Sequence, residues 1–250
     1  MRDLKNHGVR KMALAAIAVL GLVACSSGNG GNGAGNGGNG AGNGGNGSGN
    51  GPSQVGDDGT TRMDGSALRT QIDALPMATL TPAESAGLTQ MREEEKLAHD
   101  VYVALYDKWQ LTPFSNISSA EQTHSDAVKV LLDRYSLADP AAGNAEGVFT
   151  NPDLQALYTA LVAQGSTSLV DALTVGASIE DLDIADLQAL ATTTPDITLV
   201  YDNLEKGSRN HMRAFTKQLV KNDATYTPTH ITQAAYDAII AGDMERGMAG

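Results

Sequence analysis

Glu121 and His124 stand three residues apart in the stretch Ser118 to Leu132, whose apolar positions recur at intervals of three and four. On a helix both project from one face, in line with Ile117, Val128, Leu131 and Tyr135. A carboxylate and an imidazole directed into an apolar seam are costly unless each finds a partner. In helical bundles the Glu-x-x-His spacing builds carboxylate-bridged two-metal sites, with further ligands arriving from neighbouring helices. One such pair carries little weight alone, so the question passes to the other helices.

They supply matching groups. In Glu93-Glu94-Glu95 the residue best aligned with the stripe Leu88, Met91, Ala98, Val101, Tyr102, Leu105, Trp109 is Glu95. Glu94 falls at the edge of that stripe, and Glu93 is expected to face solvent. Glu180 and Asp183 interrupt a second stripe, Leu169, Leu173, Ala177, Ile184, Leu187, at positions that call for apolar residues. Asp181 and Asp186 lie off it and are expected to be solvated. His211 is the polar member of a third seam, Ile197, Val200, Leu204, Ser208, Phe215, Leu219. Four carboxylates and two imidazoles make up the ligand inventory of a di-iron carboxylate bundle. Their four negative charges would balance two divalent cations, whereas burying them without metal would force proton uptake.

The elements that must position these groups are marked by their ends. Thr81-Pro82-Ala83-Glu84 combines an N-cap, Pro at the first helical position and an acid three residues after the cap, opening a helix that runs to about Gln110. After the loop Leu111 to Ser115, the helix of Glu121 and His124 ends near Tyr135. A Pro- and Gly-containing break follows, and Asn151-Pro152 caps a shorter helix from Leu154 to Ala163, which lacks a ligand pair and is read as packing. Ser168 to Ala191 forms the next helix. Thr194-Pro195-Asp196 caps the last long one, to about Asn222. The expectation is an all-α bundle of four long helices, with a short extra helix in the crossover and a C-terminal helix.

The chain ahead of this domain has another character. Arg2, Lys5, Arg10 and Lys11 precede the apolar run Met12 to Ala24, too short for a permanent span and arranged like a signal peptide. Its end, Leu22-Val23-Ala24-Cys25, resembles the lipobox of bacterial lipoproteins, in which the signal is removed before a Cys that is then lipidated. Cys25 is the chain's one cysteine, which excludes an internal disulfide and a cysteine metal site. From Ser26 to about Ser53 the sequence is Gly, Asn and Ala in repeats, with nothing to bury, and is expected to be a flexible tether. The division is residues 1–24 as signal, 25–59 as lipidated Cys and tether, and 60–250 as the helical domain. The formal net charge of -12 argues against nucleic acid and suits an exported domain that attracts cations. Ser26, by resemblance to lipoprotein sorting, favours the outer membrane of a two-membrane cell. In a single-membrane cell the same anchor places the domain on the outer face of the plasma membrane.

Glu93-Glu94-Glu95-Lys96-Leu97-Ala98 with Asp100-Val101-Tyr102, Phe114-Ser115-Asn116-Ile117 with Glu121-Gln122 and His124, Ile179-Glu180-Asp181-Leu182-Asp183-Ile184, and Gly207-Ser208-Arg209-Asn210-His211 with Arg213-Ala214-Phe215 together resemble the domain of unknown function 2202. The resemblance covers about Leu80 to Ile240 and implies membership of the ferritin-like superfamily, with its four-helix bundle and long crossover. In ferritins and rubrerythrins a Tyr follows the first-helix ligand Glu by seven residues, which matches Glu95 and Tyr102. A second Glu-x-x-His would need Glu at 208, where this chain has Ser208. Two arrangements are open: Asp183 substitutes from the neighbouring helix, or the site is lopsided and holds one metal.

Two functions follow as expectations. One is a metalloenzyme in which Glu95, Glu121, His124, Glu180, Asp183 and His211 hold two divalent ions, iron first, with manganese and zinc as alternatives. Dioxygen or peroxide would be its small oxidant, and Tyr102 a hydrogen-bond partner or electron donor. The other is a non-catalytic envelope module, either a simple metal binder or one with a buried network of acids and histidines, for which Arg209 and Arg213 beside His211 would be the cations.

Overall fold

The structure, a computed structural model, describes residues 53–56 and 61–247. The signal, Cys25 and most of the tether lie outside the described residues. Among these residues the chain forms seven helices and one small hairpin: β1 (Ser53–Val55), β2 (Thr61–Met63), α1 (Gly65–Ala74), α2 (Pro82–Trp109), α3 (Thr112–Arg134), α4 (Pro152–Gly165), α5 (Leu169–Ala189), α6 (Pro195–Lys221) and α7 (Gln233–Ala241). No helix among them is long and apolar enough to cross a membrane.

The helix starts follow from local chemistry. The Thr81 hydroxyl accepts from Glu84 N (3.2 Å) while the Glu84 carboxylate accepts from Thr81 N (2.8 Å), a reciprocal cap on α2. Asn151 caps α4 by accepting from Asp153 N (2.9 Å), and Ser168 caps α5 by accepting from Asp171 N (3.0 Å). At α6 the expected Thr194 cap does not form. Thr194 Oγ1 instead donates to Glu84 Oε1 (2.6 Å), as does Thr192 Oγ1 (2.6 Å), so one carboxylate joins the starts of α2 and α6. Asp196 is fully buried, within 2.9 Å of Arg134 Nε and accepting from Tyr135 OH.

The four long helices pack as a ring: α2 lies along α3, α5 along α6, and α3 against α6 and α2 against α5 close it. Two apolar clusters fill the interior. One gathers Val101, Tyr102 and Leu105 of α2, Phe114 and Ile117 of α3, Leu173 and Ala177 of α5, and Met212, Phe215 and Leu219 of α6. The other gathers Leu88 and Met91, Val128 and Leu131, Leu187, and Val200 and Leu204 from the same helices. The order of these residues along each helix shows that α2 and α6 run one way, and α3 and α5 the other. Two successive parallel helices, α3 and α5, require a connection that returns the length of the molecule, and the segment containing α4 makes it. Gly176 permits the close approach of α5 to α6, since a Cβ there would lie 2.6 Å from the Phe215 ring.

Several acids expected in water are buried. Glu93 is 3 % exposed and accepts from the backbone N–H groups of Thr150 (2.5 Å) and Asn151 (3.1 Å), anchoring the start of the crossover helix α4. Asp181 is fully buried and accepts from Tyr226 OH (2.8 Å) and from the N–H groups of Thr229 (2.6 Å), His230 (2.9 Å) and Ile231 (2.8 Å), pinning the α6–α7 loop to α5. Asp186 is buried as well. For Glu93 and Asp181 the reason is shared, since connecting segments cover those faces of α2 and α5, whereas Asp186 is buried beside Glu94 of α2. β1, inside the stretch that composition assigns to the tether, pairs antiparallel with β2 in the register Ser53 to Met63 and Val55 to Thr61. Arg246 Nη1 donates to Val55 O (2.9 Å) from the opposite end of the chain.

Candidate metal centre

Between the two apolar clusters lies one polar layer. Glu95 comes from α2, Glu121 and His124 from α3, Glu180 from α5 and His211 from α6, each 3 % exposed or less. Glu121 is the centre. Its Oε2 is 2.8 Å from His124 Nδ1 and its Oε1 2.8 Å from His211 Nδ1. A second carboxylate approaches each imidazole at 3.5 Å, Glu95 at His124 and Glu180 at His211. The two rings stack, 5.4 Å between centroids at 17°. The result is a pair of clusters sharing one residue, Glu95-Glu121-His124 and Glu121-Glu180-His211. In each, the ligand atoms lie within 4.8 Å of one another, and each can hold a metal ion.

The fit to metal rests on orientation. Among the described residues, His124 Nδ1, His211 Nδ1 and Glu95 Oε1 are buried side-chain atoms without a hydrogen-bond partner, although both nitrogens have oxygens at 2.8 Å. At 2.8 Å, and out of line for N–H···O, each nitrogen shares its space with a Glu121 oxygen and leaves its lone pair available to a third atom that both could ligate. That is the disposition that ligands around an ion require.

The electrostatics agree. Burial pushes the Glu95 carboxyl up to about 7, against the lowering effect of His124. Burial, with the neighbouring Glu121 charge, pushes Glu180 up to about 7 as well. Burial works in the same direction on Glu121, but the His211 and His124 imidazoles outweigh it and hold that carboxylate well below its usual range. Burial disfavours the charged form of His211, yet the Glu121 and Glu180 carboxylates raise it to about 9; His124 is raised in the same way, by Glu121 and Glu95. Without metal the layer therefore stores protons that cations would displace.

Asp183 stands beside both clusters and within neither. Ser208 Oγ donates to Asp183 Oδ2, so the residue in place of the expected Glu engages the acid of the neighbouring helix. Burial, followed by the Glu95 charge, raises Asp183 well above its usual range. With Glu94, Glu95, Glu121 and Glu180, Asp183 lines a cavity of about 20 Å³, the space of one water, whose apolar walls are Leu97, Ala98, Ile179, Leu182 and, from α4, Leu154 and Leu157. Glu94, raised to about 8 by burial and by Asp186, also borders it. Tyr102, fully buried against Phe114 and Phe215, places its hydroxyl 2.5 Å from Glu180 Oε1 and 3.2 Å from Gly176 O.

Arg209 and Arg213, proposed from sequence as cations of a buried network, point elsewhere. Both pair with Glu245, at 2.6 and 2.9 Å, because successive turns of α6 turn them away from His211 toward the C-terminal segment. Two residues near the histidines were not found from sequence. Thr61 Oγ1 lies 2.6 Å from His211 Nε2 and 3.3 Å from His124 Nε2. Gly207 supports the His124 ring. Helical periodicity carries no signal for a strand threonine, and the glycine's only mark is its place one turn before His211.

Residues 84–243 match the family described as an uncharacterized protein domain, DUF2202. The chain is also 52% identical over 179 residues, 71% of its length and 97% of the relative's, to the uncharacterized protein MJ0754 of Methanocaldococcus jannaschii. The crystal structure of that hypothetical protein superposes with a TM-score of 0.67, covering 68% of this chain and 99% of the other. With the matched region reaching across all four helices that carry the buried acids and histidines of the two clusters, this chain belongs to the DUF2202 family.

Proposed function

We propose that this protein is a ferritin-like, two-metal carboxylate protein that reacts with a small oxidant, exported and tethered to a membrane through a lipid on Cys25. One observation carries the metal reading: two buried imidazole Nδ1 atoms each lie 2.8 Å from a different oxygen of Glu121, and a second buried carboxylate, Glu95 or Glu180, stands 3.5 Å from each. The parallel course of α3 and α5 and the connection across the bundle support the ferritin-like assignment.

Glu95 with His124, and Glu180 with His211, would each hold one ion, and Glu121 would bridge the two. Iron is the first choice by resemblance to di-iron carboxylate bundles; the imidazole and carboxylate donors would accept manganese or zinc as well. Bound ferrous iron would supply electrons for reduction of dioxygen or peroxide. The protein's own groups do the rest. Leu154 and Leu157 of α4 give the cavity an apolar wall, which would favour a small neutral oxidant over ions beside the centre. The Tyr102 hydroxyl donates to Glu180 Oε1 at an O···O distance of 2.5 Å, leaving Oε2 on the His211 side and a phenolic proton shared with the carboxylate. Asp183, at the cavity wall, is a further carboxyl for proton storage beside the centre.

Elemental analysis of the purified protein tests the reading, together with melting curves after chelation and after refilling with ferrous iron. Two metal equivalents and a higher melting temperature on refilling are expected, since an ion bound only by the folded state stabilises it by mass action. No bound metal and an unchanged melting curve would overturn it. The anchor is tested separately: Cys25→Ser should move the protein from the membrane fraction to the soluble one.

A further inference from the structure

We propose that Thr61 is a positioning residue for both histidines, so that the N-terminal hairpin completes the metal centre from outside the four-helix ring. The inference rests on the metal reading above. The Thr61 hydroxyl is 5 % exposed as part of its residue and is within hydrogen-bonding distance of both Nε2 atoms, at 2.6 Å from His211 and 3.3 Å from His124. A hydroxyl oxygen has two lone pairs and can accept from two N–H donors. If both imidazoles carry a proton on Nε2 and donate it to Thr61, both Nδ1 atoms keep their lone pairs, and it is the Nδ1 atoms that face the carboxylates. One oxygen thus selects the ligating tautomer of two rings and fixes their stacked separation.

The placement of that oxygen depends on the hairpin. Thr61 pairs with Val55 across the two strands, and Met63 N donates to the Thr123 hydroxyl (3.2 Å) of α3, next to His124. The Val55 carbonyl is in turn held by Arg246. Thr61 lies ahead of residues 84–243, the part that matches the family, so this contact is supplied by a segment outside the family domain. It closes the imidazole side of the centre, whereas the cavity opens on the carboxylate side.

The test compares the full chain with Thr61→Val, which keeps the shape and removes the hydroxyl, and Thr61→Ser, which restores it. Cobalt(II) titration, followed by visible absorption, should show affinity falling about 10- to 100-fold in Thr61→Val and returning to within a few-fold of wild type in Thr61→Ser. Equal cobalt affinity in wild type and Thr61→Val would overturn the proposal while leaving the metal reading intact. Wild type that binds no cobalt would instead count against the metal reading, and the proposal is then decided on metal-free protein. There, the ¹⁵N resonances of both Nε2 atoms should shift in Thr61→Val and return in Thr61→Ser, and unshifted resonances would overturn it. Matching melting temperatures of the three metal-free proteins would separate positioning from folding.

Discussion

Gly207 of α6 lies against the His124 ring of α3 so closely that a Cβ at 207 would come 2.8 Å from His124 Nε2. Backbone of one ligand-bearing helix is therefore a wall of the other helix's ligand. Gly207→Ala must move the imidazole, and neither Glu121 nor Thr61 can follow without losing His211. We expect at least a tenfold loss of metal affinity, with destabilisation of about 1–3 kcal/mol from overpacking. Titration with cobalt(II) and chemical denaturation would measure the two effects; wild-type affinity would show that the ring position does not matter to the site.

Glu121 belongs to both clusters, Glu95 and Glu180 to one each. Elemental analysis should accordingly find no bound metal in Glu121→Ala and one equivalent in either Glu95→Ala or Glu180→Ala. If Glu121→Ala retains two equivalents, Glu121 is not the bridge.

The pH dependence should differ in sign between metal-free and loaded protein. Burial raises Glu95 and Glu180 to about 7, and the flanking carboxylates raise His211 to about 9, so the metal-free folded state binds more protons than the unfolded chain between about pH 4.5 and 9. Its stability should fall as pH rises through that window. Metal must displace the same protons, so the gain in melting temperature on refilling should grow as pH rises. Melting curves at pH 5.5, 7 and 8.5, with and without metal, would check this; a gain that shrinks with pH would contradict the proton inventory of the site.

Glu93 separates scaffold from site within one run of acids. Glu93→Ala removes the acceptor for the Thr150 and Asn151 N–H groups, and should cost about 1–3 kcal/mol by leaving buried donors unmet. Metal stoichiometry should remain at two. Loss of metal in this variant would mean that the docking of α4 shapes the ligands as well as the cavity.

Much of the centre is legible along the chain because helices repeat locally. Glu121 and His124 share a face by covalent geometry alone, and Glu95, Glu180 and His211 are each the polar break in an apolar stripe. The start of α2 was equally local, since both partners of its cap lie within four residues. Periodicity fails where burial comes from a segment distant in sequence. It distinguishes one face of α2 from another and is silent on which faces become covered, so Glu93 was expected in water until the crossover was seen to lie over it. Asp181, held by the loop after α6, escapes periodicity for the same reason. Thr61 and Gly207 were beyond its reach altogether: one is a strand hydroxyl that meets two rings 63 and 150 residues away, the other an absence of side chain that matters only because α3 and α6 cross at that point. Residue types and helical spacing determined which groups can bind a cation, because those are properties of a single helix. Tertiary structure alone decided that Glu121 is shared, that Ser208 engages Asp183, and that the histidines are held from behind, because each of these is a distance between helices or strands that no local repeat encodes.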